Sequence, residues 1–484
     1  MNKTIEDFFE LIENYSEEEK QMIKKAYDLA NKLHAEQKRD SGEPYIIHPI
    51  NVAYNTASTI MDVDSICAAF LHDTLEDTDM TKQELTSLFN PTIADLVDGV
   101  TNFNKYKEYT KKEKENATMR KLVVFALKQD VRILLIKLCD KLHNMRTLQY
   151  KKPEKQIKTA EETLKFYAPL AYHLGVYRIK TELEDIAFSY VNPETFKELK
   201  QKREEYDNTV KEDLYLMKER IENILIQNHL KTTVKIRSKN IYGIYSRLES
   251  GHKLSDMFDL LCLKVVMEDV ASCYQALGQI HAKYHPINGK FKDYICNPKT
   301  NLYQSLHTTV FGENGHLVQI QIRTEKMDKI ASFGLGAYWQ IYEKDAYQVM
   351  QEDFKNCQIY KSLSQVNEIF ENNYDFVEHV EGEVLSSKIY VYSPQGDIYA
   401  LPIGATAIDF AYTIHTDIGN QLIKVYVNDE EVPVDTVLKN KDRVKIITST
   451  TSSFLDRKKD WEQIVVTTLA KRKIREYLKK QSVK

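Results

Sequence analysis

The hydrophobic period changes along the chain, from that of helices to that of strands and back to a helix at the end, and 484 residues at roughly 100–200 per domain leave room for two to four domains. Up to about residue 190, apolar residues recur at helical spacing, as in Ile23, Tyr27 and Ala30 or Leu122, Phe125 and Ala126, without Val-rich alternation. Residues 195–230 continue as one long amphipathic helix, or two. The period then becomes that of strands. Residues 260–267 (LLCLKVVM) read as a buried strand. From His316 to Arg323, Val318, Ile320 and Ile322 fall on one face and Gln319, Gln321 and Arg323 on the other. Helical signals between these strands make residues 232–345 mixed α/β. At 387–448 short strands (KIYVYS, IKVYVN, RVKIIT) flank turn signals at Pro394-Gln-Gly396 and Asn428-Asp429. The expectation is multidomain. An all-α region covers 1–190 and an α/β domain 195–345. A polar connecting segment (346–386), a small strand-rich unit (387–448) and a basic helical tail (449–484) follow.

Charge narrows the partners. Lys+Arg 67 against Asp+Glu 71 gives a net charge of −4, which excludes a polycation that coats nucleic acid and leaves room for local basic patches. No apolar run approaches the ~18 residues of a membrane span, and the acidic N-terminus lacks a signal peptide's basic start. Six cysteines without a CxxC pair fit a reduced, cytoplasmic setting better than a disulfide framework or zinc ribbon. Arginine occurs 14 times against 53 lysines, so its positions are informative: a bidentate phosphate contact needs the planar fork. Five of them, Arg39, Arg146, Arg237, Arg247 and Arg323, fall in the motifs that follow.

The helical part holds His48 in GEPYIIHP, His72 and Asp73 in AAFLHDTLEDTD, and Asp140 in KLCDKLHNMRTL. The apolar run Cys67-Ala-Ala-Phe-Leu71 leads into His72, Asp73, Glu76 and Asp77, with His72 expected over Glu76 and Asp73 over Asp77 on one helix face. Four ionisable groups at the end of a buried helix need compensation. A divalent cation supplies it; so does a solvated helix end with salt bridges. The residue types suit manganese, iron or zinc without choosing among them. A metal there would lower the pKa of a bound water for attack on phosphorus, with Glu76 or Asp77 to orient or deprotonate it.

The strings RDSGEPYIIHP, FLHDTLEDT and CDKLHNMRTL resemble the HD-type hydrolase domain of the RelA/SpoT homologue family, enzymes that make and destroy the alarmone (p)ppGpp. The resemblance implies metal ligands at His48, His72, Asp73 and Asp140, with manganese (Mn2+) as the usual metal, and water activation by Glu76 and Asp77. It also implies a guanosine pocket that includes Arg39, Ser41, Asn144 and Thr147. Asp40 stands where the family often has a basic residue, which implies a weaker phosphate contact.

The α/β part carries Arg237-Ser-Lys239, Arg247, Asp259 on a strand, and KFKDYICNPKTNLYQSLHTTV. There Lys290, Lys292 and Lys299 lie near Tyr294, Tyr303 and His307, a mixture that fits phosphates and a stacked base; any single lysine fits a solvated face equally. NIYGIYSRL, FDLLCLKVV, KFKDYICNPKTNLYQSLHTTVFG and IQIRTEKM are similar to the synthetase domain of the same family, an α/β nucleotidyltransferase-like fold. That domain moves pyrophosphate from ATP to the 3′-hydroxyl of GDP or GTP with magnesium (Mg2+). By this resemblance Arg237, Lys239 and Arg247 hold ATP, Asp259 binds magnesium, Lys299, Asn301 and His307 line the site, and Tyr303 stacks on guanine. Lys290-Phe-Lys-Asp293 matches the basic version of a charged motif that marks the two-activity branch. Three departures stand out: Ile236 for a glycine, Thr300 for a proline, and Gln319 for the catalytic glutamate. Glutamine keeps the shape but carries no charge and cannot accept a proton, so an impaired synthetase is expected.

Residues 387–448, with PIGATAIDFAYTIHTDIGN, resemble a TGS domain, a small β-grasp module that in this family serves regulation through tRNA or ribosome contacts. Long members continue into further regulatory domains, so a short or truncated regulatory region is implied. The expected partners are ppGpp/pppGpp, GDP/GTP and ATP, without a membrane. Two other readings stay open: another HD-type phosphohydrolase acting on a cyclic dinucleotide or dNTP, and a guanine-nucleotide-binding regulator without synthesis.

Overall fold

The structure, a computed structural model, describes residues 2–60, 62–102, 110–254, 257, 259–312, 315–449 and 460–482. The chain forms two compact units: Met1–Asn102 with Lys128–Gln358, and Phe103–Leu127 with Ile359–Lys484. Among the described residues no helix is long and apolar enough to cross a membrane.

In the first unit, three buried helices build the frame of the helical region. Ile47–Thr59 carries His48 at its second position and buries Ile50, Val52, Ala53 and Ala57. Val63–Leu71 starts at Asp62, whose carboxylate accepts from the Ser65 N–H at 2.9 Å, and buries the whole run Cys67–Leu71. Arg132–Arg146 is buried nearly all round, charged residues included, and carries Asp140 in its middle. Its first residue, Arg132, is 4% exposed and pairs with Asp62 at 2.6 Å and Asp130 at 2.7 Å. That pairing ties the start of the helix that carries Asp140 to the N-cap of Val63–Leu71.

One expectation fails locally. Val63–Leu71 does not continue through Asp77; it ends at His72, and a single turn, Thr74–Asp77, restarts after Asp73. The Asp77 N–H still bonds the Asp73 carbonyl at 2.9 Å, so i,i+4 spacing survives across the break. His72 and Glu76 do not share a continuous helix face. The break turns His72 and Asp73 inward toward His48.

The α/β domain hangs on one helix of 35 residues, Pro193–Gln227, started by Pro193 and capped by the Asn192 side chain. A five-stranded sheet follows, in the order β1 (Thr232–Ser238), β2 (Leu261–Met267), β5 (Leu317–Thr324), β4 (Leu306–Phe311) and β3 (Lys292–Asp293). β2 and β5 run parallel and every other pair is antiparallel. Val210, Leu214, Met217 and Ile221 of the long helix, with Cys273, Ala276 and Ile280 of Val270–Lys283, cover one face through Leu263, Val265, Ile320 and Ile322. The period-2 alternation of β5 therefore leaves Gln319, Gln321 and Arg323 on the opposite face. Asp259 lies in the turn two residues before β2 begins, not on the strand as expected.

The second unit holds a two-stranded pair, β6 (Lys388–Tyr392) with β7 (Ile398–Pro402), and a three-stranded sheet of β10 (Val444–Thr448), β8 (Leu422–Val427) and β9 (Glu430–Val432). Helix Ala407–Ile414 packs with them around Val391, Leu401, Phe410 and Val425. The β8–β9 turn is Asn428-Asp429, both at positive φ (53° and 70°), the conformation a two-residue hairpin requires. Helix Lys111–Lys128 falls almost wholly in this unit although its neighbours in sequence belong to the first. Residues 346–386 contain the helices Ala346–Asn356, Gln358–Ile369 and Asn373–His379. Of the basic tail, 450–459 and 483–484 lie outside the described residues, and Thr468–Ser482 is helical.

Candidate functional site

His48, His72 and Asp140 bring one ligand atom each to within 4.8 Å of one another, all three buried. His48 Nε2 lies 3.1 Å from His72 Nε2, 3.3 Å from Asp140 Oδ1 and 3.6 Å from Asp73 Oδ2. His72 Nε2 lies 3.1 Å from Asp73 Oδ2 and 3.9 Å from Asp140 Oδ1. A cation bound at about 2.0–2.1 Å would set tetrahedral ligand atoms about 3.4 Å apart. The five distances bracket that spacing, so the donor set fits a divalent metal.

The charges point the same way. Burial alone would raise the Asp73 carboxyl, but the His72 imidazole outweighs it and holds Asp73 far below the usual range. Asp140 is likewise held low against burial, by Lys137 and then His48. Burial opposes protonation of His72 too, yet Asp73 and Asp140 push it up to about 9, while burial pushes His48 down. Two facing imidazole nitrogens at 3.1 Å thus share the site unequally: His72 takes the proton that a cation would displace.

Glu76 and Asp77 stand beside this cluster in different surroundings. Glu76 accepts from the Asn102 N–H at 3.1 Å and is pushed up by burial and by Asp73. Asp77, more exposed, is pushed up by partial burial and by Asp73. Both line a cavity of about 680 Å³ together with Asp79 and Glu84. On the other side, Arg39 Nη2 donates to Asn144 Oδ1 at 3.1 Å and faces Thr147 Oγ1 at 3.4 Å, while Asn144 Nδ2 donates to Asp140 Oδ1 at 2.6 Å. Arg39, Asn144 and Thr147 are thus brought together and joined to Asp140. The second Arg39 nitrogen, Nη1, is buried without a partner. Ser41 bonds Glu43 in the adjoining loop, at 2.9 Å.

Four participants were missed in the sequence. Tyr45 donates to Asp73 Oδ2 at 2.5 Å and sits 3.3 Å from Asp77 Oδ2. Lys137, buried, reaches Asp140 Oδ2 and Asn102 Oδ1, both at 3.1 Å. His143 contacts His48 Nδ1 at 2.8 Å. Tyr45 lies three residues before His48, and Lys137 and His143 lie three residues to either side of Asp140. That i±3 spacing was a usable signal. Nothing in the sequence singled out Asn102.

On the open face of the α/β sheet the charge balance is reversed. Asp259 is pinned by Lys239 Nζ at 2.7 Å and Arg247 Nη1 at 2.9 Å, and these cations hold its carboxyl low against burial. Arg237 Nη1 reaches Gln321 Oε1 at 3.4 Å, and Gln321 Nε2 donates to Gln319 Oε1 at 2.9 Å. Arg323 donates to the Tyr303 hydroxyl at 2.9 Å, and that hydroxyl contacts His307 Nε2 at 2.8 Å. The Lys299 ammonium lies over the rings of Tyr294 (4.8 Å) and Tyr303 (5.0 Å). Although Lys299 as a residue is exposed, burial of its ammonium end and the charge of Lys292 lower its pKa to about 8. Asn301 stands apart from this network and donates to the Tyr172 carbonyl of the helical region at 3.2 Å.

Three family models match in order: an HD domain over 26–177, the region found in RelA / SpoT proteins over 236–346, and a TGS domain over 389–448. A guanosine-3′,5′-bis(diphosphate) 3′-pyrophosphohydrolase of Aquifex aeolicus is 40% identical over 98% of this chain and 67% of its own length. The bifunctional (p)ppGpp synthase/hydrolase SpoT of Escherichia coli K12 is 37% identical over 98% and 67%. A GTP pyrophosphokinase of Myxococcus xanthus is 39% identical over 95% of this chain and 60% of its own length. The chain spans three-fifths to two-thirds of the length of these relatives.

Proposed function

The chain belongs to the RelA/SpoT family, and from that membership we propose that it removes the 3′-pyrophosphate of (p)ppGpp at the helical site. Its α/β domain then binds ATP with GDP or GTP but turns them over poorly. The observation that carries the first part is the closure of His48, His72 and Asp140 to within 4.8 Å, with Asp73 Oδ2 at 3.1 Å from His72. These four residues would hold the metal, and manganese is the assignment we favour for a mixed imidazole–carboxylate set.

A bound divalent cation supplies Lewis acidity and a more acidic water at neutral pH. The chain's own residues do the rest. Water adds to the phosphorus on the ribose 3′ oxygen, that P–O bond breaks, pyrophosphate forms with the oxygen of water, and the departing ribose 3′ oxygen takes up a proton to become the 3′-hydroxyl. Glu76 or Asp77 accepts the proton that water loses; their raised pKa values bring them nearer the working pH of a general base. The Asn102 N–H aims the Glu76 carboxylate, and the Tyr45 hydroxyl steadies Asp73 and Asp77. The free Arg39 Nη1 supplies a charge-assisted donor for the nucleotide, with Ser41, Asn144 and Thr147 around it.

In the α/β domain Arg237, Lys239 and Arg247 bind ATP phosphates, Lys299 and His307 line the pocket, Tyr303 stacks on guanine, and Asp259 is the carboxylate that would hold magnesium; Asn301 joins them only if it gives up its bond to the Tyr172 carbonyl. Gln319 supplies no carboxylate, which is why synthesis is weak. The strand-rich unit is assigned a tRNA or ribosome contact, and the enzyme to the cytoplasm, in line with six free cysteines. Thin-layer chromatography of labelled ppGpp with Mn2+, and separately of ATP plus GDP with Mg2+, tests both halves. Unaltered ppGpp after incubation with Mn2+ would refute the hydrolase assignment.

A further inference from the structure

The two imidazoles of the metal cluster are oriented by different devices, and only one of those devices is rigid. His72 Nδ1 lies 2.8 Å from the Ala69 carbonyl oxygen. A carbonyl only accepts, so His72 carries hydrogen on Nδ1 toward it. His48 has no such partner. Its Nδ1 lies 2.8 Å from His143 Nδ1, with the rings 5.0 Å apart and inclined at 32°. Two imidazole nitrogens at this distance hold one hydrogen between them, and which ring owns it is a choice of tautomer.

The surroundings decide the choice. For His48 Nε2 to present a lone pair to a cation, the one hydrogen of its neutral ring must sit on Nδ1. His143 Nδ1 must then be bare, and the His143 hydrogen must sit on Nε2. That nitrogen faces an acceptor, Asn2 Oδ1, at 3.4 Å. A relay Asn2–His143–His48 therefore has one self-consistent hydrogen pattern that leaves His48 Nε2 free. Both rings are nearly sealed from water, His48 at 3% and His143 at 1% exposure, so no solvent molecule can substitute for the partner. His143 sits three residues after Asp140 on the same helix, so the element that delivers one ligand also orients another.

We infer that His143 is a positioning residue of the metal centre: as an acceptor at Nδ1 it fixes the tautomer and ring orientation in which His48 coordinates the cation. The inference rests on the metal reading proposed for this site. Partners of this kind typically cost about 10–100-fold in metal affinity when removed. His143→Leu keeps the apolar volume and removes the acceptor. His143→Asn places an amide oxygen near the lost Nδ1 and restores it.

The test is calorimetric titration of the full chain with Mn2+ alone, without nucleotide, alongside circular dichroism. His143→Leu is expected to bind Mn2+ about 10–100-fold more weakly than wild type, and His143→Asn to recover most of that loss. Native affinity in a folded His143→Leu variant would overturn the inference. If His143→Leu does not fold, the wild type decides: with Zn2+ bound and histidines ¹⁵N-labelled, the proton should lie on Nδ1 of His48 and on Nε2 of His143. Hydrogen on His143 Nδ1 would overturn it. Failure of the wild type to bind either metal would overturn the metal reading and this inference with it.

Discussion

Replacing Gln319 by Glu should switch synthesis on while leaving nucleotide binding almost untouched. In the structure Gln319 Oε1 accepts from Gln321 Nε2 at 2.9 Å, and a glutamate oxygen keeps that bond. Gln321 is in turn held by Arg237 at 3.4 Å and by Arg323, and the local surplus is cationic. A new carboxylate there stays ionised and costs the fold little. What it adds is a group that handles magnesium or accepts the 3′-hydroxyl proton. General acid–base terms of this kind are worth roughly 10²–10⁴-fold, or about 3–5 kcal/mol in the barrier. The cations that bind phosphate are unchanged, so the gain should fall on kcat and not on KM. The assay is conversion of labelled ATP and GDP to ppGpp with Mg2+ over a range of substrate concentrations. Equal kcat in the two versions would mean that another group, or none, does this work.

Asp73→Ala should abolish ppGpp hydrolysis and Mn2+ binding together, as EDTA should in the wild type, whereas Asp77→Asn should slow hydrolysis and spare Mn2+ binding. Calorimetry beside chromatography separates them, and hydrolysis by Asp73→Ala in EDTA would sink the assignment. Tyr45→Phe removes a hydrogen bond to a charged group, worth about 1.5–3 kcal/mol, so hydrolysis should fall roughly 10- to 100-fold with the fold intact by circular dichroism; a wild-type rate would leave the hydroxyl without a role. In the α/β pocket, Lys299 is charged below about pH 8 and neutral above it. Affinity for a non-hydrolysable ATP analogue with GDP should be flat to pH 7 and fall by up to about tenfold per unit above pH 8, a decline that Lys299→Arg removes. Folding stability runs the other way. The folded pKa lies below the unfolded one, so this lysine costs stability below about pH 8, and the cost fades as pH rises toward the ordinary lysine value.

What could be read in the sequence was periodic or local. β5 alternates because its sheet has one covered face, and Asn428-Asp429 turns because both residues tolerate positive φ. His48, His72, Asp73 and Asp140, the ligands proposed here, stood out as a set only through the motif strings around them. The break at His72–Asp73 was hidden because the Asp77–Asp73 backbone bond preserves helical spacing across it. The Asn102–Glu76 bond was hidden for a different reason: it joins elements 26 residues apart, and no local pattern encodes a tertiary partner. The stripe on Lys111–Lys128 likewise tells which face is buried and not against what, so its membership of the second unit could not be read.

The two sites face opposite electrostatic deficits, and this decides how each tolerates loss. At the metal centre two buried carboxylates rely on His72 and on Lys137, itself paired to Asp140 at 3.1 Å. Removing one partner of a buried pair costs about 3–5 kcal/mol because it strands a charge. On the proposed metal reading each of these residues serves both structure and binding, so loss of any one should cost both. In the α/β pocket Asp259 already has two cations, and Arg237 and Lys299 add further positive charge. Losing a second carboxylate at Gln319 leaves that pocket more attractive to phosphate, not less. On the function proposed above, ground-state nucleotide binding should therefore survive a change that removes the transition-state term, whereas the same change among His48, His72, Asp73 and Asp140 should empty the site.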